Sequence, residues 1–191
     1  PLTRMRLSLA MLDDEDREPL EQDVQEMQSM IDAFLDFSKG AHEGEQEPVD
    51  IVAWVTSVVE DAQRSGQNVR LVHGEGVGDV LLRPGAMRRA LGNLIGNAVR
   101  YGSKADVSYD LTDKSLRIRV EDAGPGIPED RRAEAQRPFS RLDAARNQDK
   151  GGSVGLGLAI ATDIARAHGG VLRLGVSERL GGLQADIVIA R

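Results

Sequence analysis

The 191-residue sequence contains no cysteine. That excludes a disulfide framework, a thiolate metal site and a cysteine nucleophile, and it suits a reducing compartment. Aromatic residues are scarce, 3% in all with a single tryptophan. Basic charge is also in deficit: 24 Lys and Arg against 31 Asp and Glu leave a net charge of −7. A direct role on nucleic acid or an anionic membrane has no general electrostatic support. No run approaches the roughly 20 consecutive apolar residues that a spanning helix requires, and no signal-peptide pattern is present.

What is present is a chain that is 40% hydrophobic and 29% charged, enough for one ordinary core with a smaller element attached. It opens at Pro1 inside an amphipathic pattern without an initiator Met, and is expected to be part of something longer. Leu2, Met5, Leu9 and Leu12 mark one helix face, which the acidic cluster Asp13 to Glu18 ends. Leu20, Val24, Met27, Ile31, Phe34, Leu35 and Ser38 continue a similar stripe until Gly40. The two helices predict an antiparallel hairpin over residues 1–40. A hairpin cannot cover both stripes alone, so a second copy completing a four-helix bundle, and hence a homodimer, is expected.

The polar stretch from Gly40, which includes residues 41–48, reads as a linker, and a second unit is expected over 49–191. Its pattern predicts helices near Ile51–Gln63, Pro84–Tyr101 and Val154–His168. Strands are expected near Val69–Val72, Val80–Leu82, Ala105–Leu111, Leu116–Glu121, Val171–Val176 and Leu183–Ile189. The fold class is α+β, a sandwich with helices on one face of a sheet.

Three short stretches carry chemistry. In NLIGNAVRY, Asn93 and Asn97 stand four apart on one helix face and offer neutral carbonyl oxygens to a hard cation, with Arg100 and Tyr101 beyond them. In EDAGPGIP, Asp122 follows an apolar strand and is itself followed by Gly124 and Gly126, so a carboxylate sits beside backbone a ligand can approach. An Asp accepts where adenine donates, which selects adenine over guanine. In GGSVGLGL, glycines open a helix whose free N–H groups form an anion site. Each stretch alone also fits a bland reading: two exposed amides, a Gly-Pro turn, a capped loop. A Rossmann fingerprint fails because RNQDK, not a buried strand, precedes the glycines. Their order, which would hold a cation, an adenine and a phosphate chain, is what makes them specific.

In that order the stretches resemble the GHKL, or Bergerat-fold, ATP-binding domain of sensor histidine kinases. NLIGNAVRY stands as N box, DAGPGIP as G1 box, RPFSR as F box and SVGLGLAI as G2 box. PLTRMRLSLAML and VQEMQSMIDAFLDFSK resemble the dimerisation and phosphotransfer hairpin. DFSKG, RYGSKADV and GVSERLGGLQADIVIA look most like the osmosensing EnvZ type. The resemblance implies ATP or ADP with Mg²⁺ as cofactors. Asn97 would hold the Mg²⁺, with Asn93 assisting at the phosphates and Arg100 and Tyr101 lining the nucleotide. Asp122 would read the adenine amino group in a pocket shaped by Gly124, Gly126 and Ile127. Ser140 and Arg141 would belong to a lid, Arg141 near the phosphates, and Gly155, Leu156, Gly157 and Leu158 would supply backbone donors.

Two departures stand out: Gln136 replaces the first F-box Phe, and Ser153 replaces the first Gly of the usual GxGLGL. The acceptor His of the family's HExRTP-like motif would fall upstream, Pro1 being its last residue. His42, His73 and His168 are not expected to replace it; His168, at a helix end beside Gly169, reads as a cap. The resemblance implies a protein histidine kinase that transfers the γ-phosphoryl to a bundle His and on to a response-regulator Asp. Its parent is expected to be membrane-anchored, with this part cytoplasmic. A topoisomerase- or chaperone-type ATPase of the same fold carries a Glu four residues before the Mg-binding Asn, where this chain has Asn93, and an amide is no general base. A silent nucleotide-binding dimerisation scaffold is the other alternative.

Overall fold

The computed structural model describes residues 43–140 and 154–191, preceded by positions 20, 21, 24, 27, 28, 31, 34, 35, 38 and 41. The stripe residues Leu20 to Ser38 named above are helical, as expected; Val24 is buried, while Met27, Ile31, Phe34 and Leu35 are exposed. The first helix of the expected hairpin, Gly40, His42, Arg141 and Gly151 to Ser153 lie outside the described residues.

The second unit starts with a strand the sequence reading did not foresee, β1 (Glu47–Asp50), so Glu47 and Pro48 of the expected linker are part of it. It pairs antiparallel with β3 (Asp79–Leu82) in a two-stranded sheet. Asp50 then caps α1 (Ile51–Arg64), its carboxylate accepting the Ala53 N–H at 2.8 Å. Next come β2 (Val69–Glu75), β3, and α2 (Pro84–Gly102), which begins on a proline as the sequence suggested and ends at Ser103 in the left-handed region. β4 (Ala105–Leu111) and β5 (Ser115–Glu121) form a hairpin. A 3₁₀ turn (Glu129–Arg131) and α3 (Arg132–Ala135) follow, then α4 (Gly157–Ala167), β6 (Val171–Val176) and β7 (Leu183–Ala190).

The main sheet has the order β2-β4-β5-β7-β6. All its neighbours are antiparallel except β2 and β4, which run parallel with an irregularity between Leu71 and His73. Alternation explains both faces. Val107, Tyr109 and Leu111 pair with Val120, Ile118 and Leu116, and these with Ala185, Ile187 and Ile189. That face packs on Met87, Leu91, Leu94 and Ile95 of α2 and Ile160 and Ile164 of α4 to form the core.

The opposite face is charged, yet Asp106, Glu121 and Asp186 are buried on it, because arginines lie over them. Arg70 and Arg179 reach Asp106 at 2.6 Å each, Arg179 also reaches Glu121 at 3.3 Å, and Arg119 binds Asp186 at 2.7 and 2.8 Å. The Arg70 hydrogen bond first, and Arg179 after it, hold the Asp106 carboxyl below the usual Asp value. On the same face His73 Nε2 lies 3.7 Å from Asp110 Oδ1 and 3.8 Å from Glu75, while Arg117 engages the other Asp110 oxygen. No helix among the described residues is long and apolar enough to cross a membrane.

Candidate nucleotide site

α2 organises the site. Its buried stripe, Met87, Ala90, Leu91, Leu94, Ile95 and Ala98, faces the sheet and α4. This leaves Asn93 and Asn97 half-buried at the border of the core. Asn93 turns its amide nitrogen to the Arg89 carbonyl at 2.9 Å. That leaves its oxygen toward α4: a Cβ placed on Gly157 would lie 3.2 Å from Asn93 Oδ1 and 3.2 Å from Asn97 Nδ2. Thus the first and third stretches meet at Gly157.

The C-terminal end of α2 meets the second stretch. A Cβ on Gly102 would lie 2.6 Å from Asp122 Cβ, and one on Gly124 would lie 2.8 Å from the Tyr101 carbonyl. Asp122 follows β5 and is buried, 4% exposed. Its Oδ1 accepts the N–H of Gly124 at 2.8 Å and of Leu183 at 3.0 Å. No described residue bonds Oδ2, which leaves an acceptor for a ligand donor. Burial pushes the carboxyl above the usual Asp value, and the two backbone N–H groups oppose that only in part. Gly182 closes the pocket from the far side, where any Cβ would collide with Asp122 and the Gly124 N–H. The sequence reading missed Gly102, Gly182 and Leu183; only the pair Gly181–Gly182 before a strand hinted at a close backbone approach.

The third stretch is split by function. Leu156 is buried and Leu158 packs partly against the core, so only their backbone can serve a ligand. The helix begins at Gly157, two residues after Gly155, and no side-chain hydrogen bond from a described residue caps it. Its first intrahelical bond runs from the Ile160 N–H to the Leu156 carbonyl at 2.9 Å. The N–H groups before it, from Gly157 to Ala159, face an end with positive partial charge. Gly155 has φ +74°, and a Cβ there would lie 2.6 Å from the Ser140 carbonyl. The end of the F-box stretch and the start of the glycine stretch are therefore in direct contact. Ser140 keeps a buried hydroxyl with no hydrogen-bond partner among the described residues.

Gly126 has φ +68°, and Ile127 is half-buried, its carbonyl accepting from Arg132 at 3.2 Å. Arg100 and Tyr101 are half-buried in the last turn of α2. Gln136, in place of an aromatic ring, sits with its Oε1 3.2 Å from the Thr162 hydroxyl of α4, which is also 2.8 Å from the Leu158 carbonyl.

The donor set fits a purine nucleotide: a buried carboxylate with one oxygen unengaged among the described residues, glycine backbone where a Cβ would fill the cradle, and a helix N-terminus that no described side chain caps. Two amide side chains at that terminus supply neutral oxygens of the kind a hard cation takes.

Fold and donor set together define an α/β sandwich of the GHKL nucleotide-binding class. Residues 83–189 match the family described as histidine kinase-, DNA gyrase B-, and HSP90-like ATPase. Sensor histidine kinase GtrS of Pseudomonas aeruginosa is 33% identical over 193 residues, which is 100% of this chain and 39% of that protein. The histidine kinase domain of the Escherichia coli osmosensor EnvZ superimposes with a TM-score of 0.58 at 34% identity, covering 78% of this chain and 90% of that one. The ATP binding domain of PrrB from Mycobacterium tuberculosis gives 0.61 at 28% identity, covering 76% and 97%. The chain belongs to this ATPase family, and its α/β unit is a histidine kinase catalytic domain. It spans well under half the length of the curated relatives it matches.

Proposed function

We propose that this chain binds an adenine nucleotide with Mg²⁺ between α2, the Asp122 loop and the N-terminus of α4, and positions it for transfer of the γ-phosphoryl to a histidine. The observation that carries the reading is Asp122: a buried carboxylate whose Oδ1 is fixed by two backbone N–H groups and whose Oδ2 is left for a ligand amino group. The N–H groups of Gly157 to Ala159 receive phosphate oxygens, and Asn97, seconded by Asn93, offers the oxygen for the metal. Mg²⁺ supplies charge neutralisation of the phosphate chain.

Transfer of this kind asks the protein mainly for position and charge, since the histidine nitrogen forms the new P–N bond as the bond to the ADP oxygen breaks. Hydrolysis is disfavoured because Asn93, in the position where a general base would activate water, is an amide engaged with Arg89. The accepting histidine belongs to the helical hairpin, the working unit is a homodimer built on that hairpin, and a response regulator Asp receives the phosphoryl group next. The parent protein is membrane-anchored with this part facing the cytoplasm.

Calorimetry of ADP and ATP with and without Mg²⁺, on the chain and on Asn97→Ala, tests the reading. Binding strengthened by Mg²⁺ in the chain and indifferent to it in the variant is the expected result. Absence of nucleotide binding in both would leave a dimerising scaffold as the better reading.

A further inference from the structure

α2 and α4 run antiparallel, packed through the core, and polar groups join them at two places. One is the nucleotide end, where Gly157 meets Asn93 and Asn97. The other lies about 15 Å away at 1.5 Å per residue, where α2 begins and α4 ends.

There, the backbone N–H of Arg83, the residue before α2, donates to His168 Nε2 at 3.0 Å. His168 Nδ1 lies 2.7 Å from the Ile164 carbonyl. Both contacts are satisfied by one tautomer, with the proton on Nδ1 donated to Ile164 and Nε2 accepting. The Arg83 guanidinium then reaches two ways: Nη1 donates to the Ala167 carbonyl at 3.2 Å and Nε to the Gly44 carbonyl at 3.1 Å. The first is a cation on the carbonyl end of α4, where charge of that sign is favoured. The second fastens the segment that leads into β1. Arg89, one turn before Asn93, binds Glu43 of the same segment at 3.0 Å while its carbonyl holds the Asn93 amide. Between segment and helix a groove of about 600 Å³ remains, with Glu45, Glu47, Pro84 and Gly85 in its walls. The segment is thus held by discrete polar contacts rather than buried in the core.

We infer that Arg83 and His168 are positioning residues that set the angle between α2 and α4 and couple occupancy of the nucleotide site to the seating of residues 43–44. The inference rests on the reading of that site as a nucleotide site. A ligand bridging the N-terminus of α4 to Asn93 and Asn97 fixes the two helices at one end, and the polar junction transmits that constraint to the other. Coupling of this kind is reciprocal: whatever factor ADP contributes to seating the segment, unseating the segment takes from ADP affinity.

The test is amide hydrogen exchange of the chain with and without Mg-ADP, beside calorimetry. In the chain itself ADP should slow exchange over residues 43–46. In Arg83→Met, which keeps a long unbranched side chain but no donors, and in His168→Phe, which keeps a ring but no acceptor, that slowing should vanish. ADP affinity should fall about three- to tenfold in both. Arg83→Lys, a single point donor in place of a fork, should retain part of each effect. If ADP binds through Asp122 but leaves exchange at 43–46 unchanged, the coupling is wrong while the nucleotide reading stands. If the chain binds no ADP, both fall. Should His168→Phe fail to fold, Arg83→Met and Arg83→Lys decide.

Discussion

Substituting Asp122 by Asn separates a ligand-reading role from a structural one, because the two oxygens of this carboxylate have different partners. Oδ1 accepts from Gly124 and Leu183 at 2.8 and 3.0 Å, and the amide oxygen of Asn can take over both bonds. The amide nitrogen then stands where Oδ2 stood and presents a donor to the donor of an adenine amino group. The loss comprises one hydrogen bond to a charged acceptor and a new pair of opposed donors, about 2–4 kcal/mol, or roughly 30- to 700-fold in Kd.

Stability should move the other way. Burial holds the Asp122 carboxyl above its ordinary value, so the folded state binds this proton more tightly than the unfolded chain. The ionised group therefore costs stability above its folded pKa, and that cost is relieved as pH falls or when the group is neutral. Asp122→Asn should melt no lower than the parent chain. Asp122→Ala, which strips two N–H groups of their acceptor, should lose on the order of 1–3 kcal/mol for each. ADP affinity of the parent should also decline on acidification at a higher pH than an exposed Asp would give, and the Asn variant should lack that decline. Calorimetry across pH with thermal melts reads all of this. An Asn variant that melts normally and binds ADP like the parent would refute the reasoning.

Gly182→Ala should abolish ADP binding and lower the melting temperature, because its Cβ would collide with Asp122 and the Gly124 N–H. Gly181→Ala, with φ +80° and open space around it, should cost only about 1 kcal/mol and spare binding. Gly157→Ala should weaken the Mg-dependent part of ADP affinity by crowding Asn93 and Asn97 while leaving the melt unchanged or raised, alanine being the better helix residue. Arg70 and Arg179 hold the Asp106 pKa down, so the stability they confer is present above the ordinary Asp range and lost as pH falls through the lowered value. Arg179→Met should move the acid-unfolding midpoint, followed by circular dichroism, to higher pH.

Much of this was legible in the sequence where the signal was local. The proline opening α2, the alternation of LRIRV in β5 and the glycines before α4 each specify their own structure within a few residues. The parallel pairing of β2 with β4 was not legible, since two segments that far apart along the chain record nothing of their partner. β1 escaped because its four residues, EPVD, have no periodicity and form a strand only against β3. The site divides the same way. Asn93, Asn97, Asp122 and Gly157 announce themselves by spacing and residue type, whereas Gly102 and Gly182 matter only through what a Cβ would strike in a distant segment. Gln136 stood out as a departure from the family's aromatic, and the structure gives it a polar neighbour, Thr162, that spacing could not supply.

The arginine-covered face of the sheet has an electrical consequence. Arg70, Arg117, Arg119 and Arg179 stand against Asp106, Asp110, Glu121 and Asp186, so across its centre the face cancels itself. The net charge of −7 must then be carried elsewhere, and the densest acidic runs are Asp13 to Glu18 and Glu43 to Glu47. Beyond a Debye length of about 8 Å, an approaching molecule feels almost nothing from the centre of this face. Its course is bent instead toward those two acidic runs.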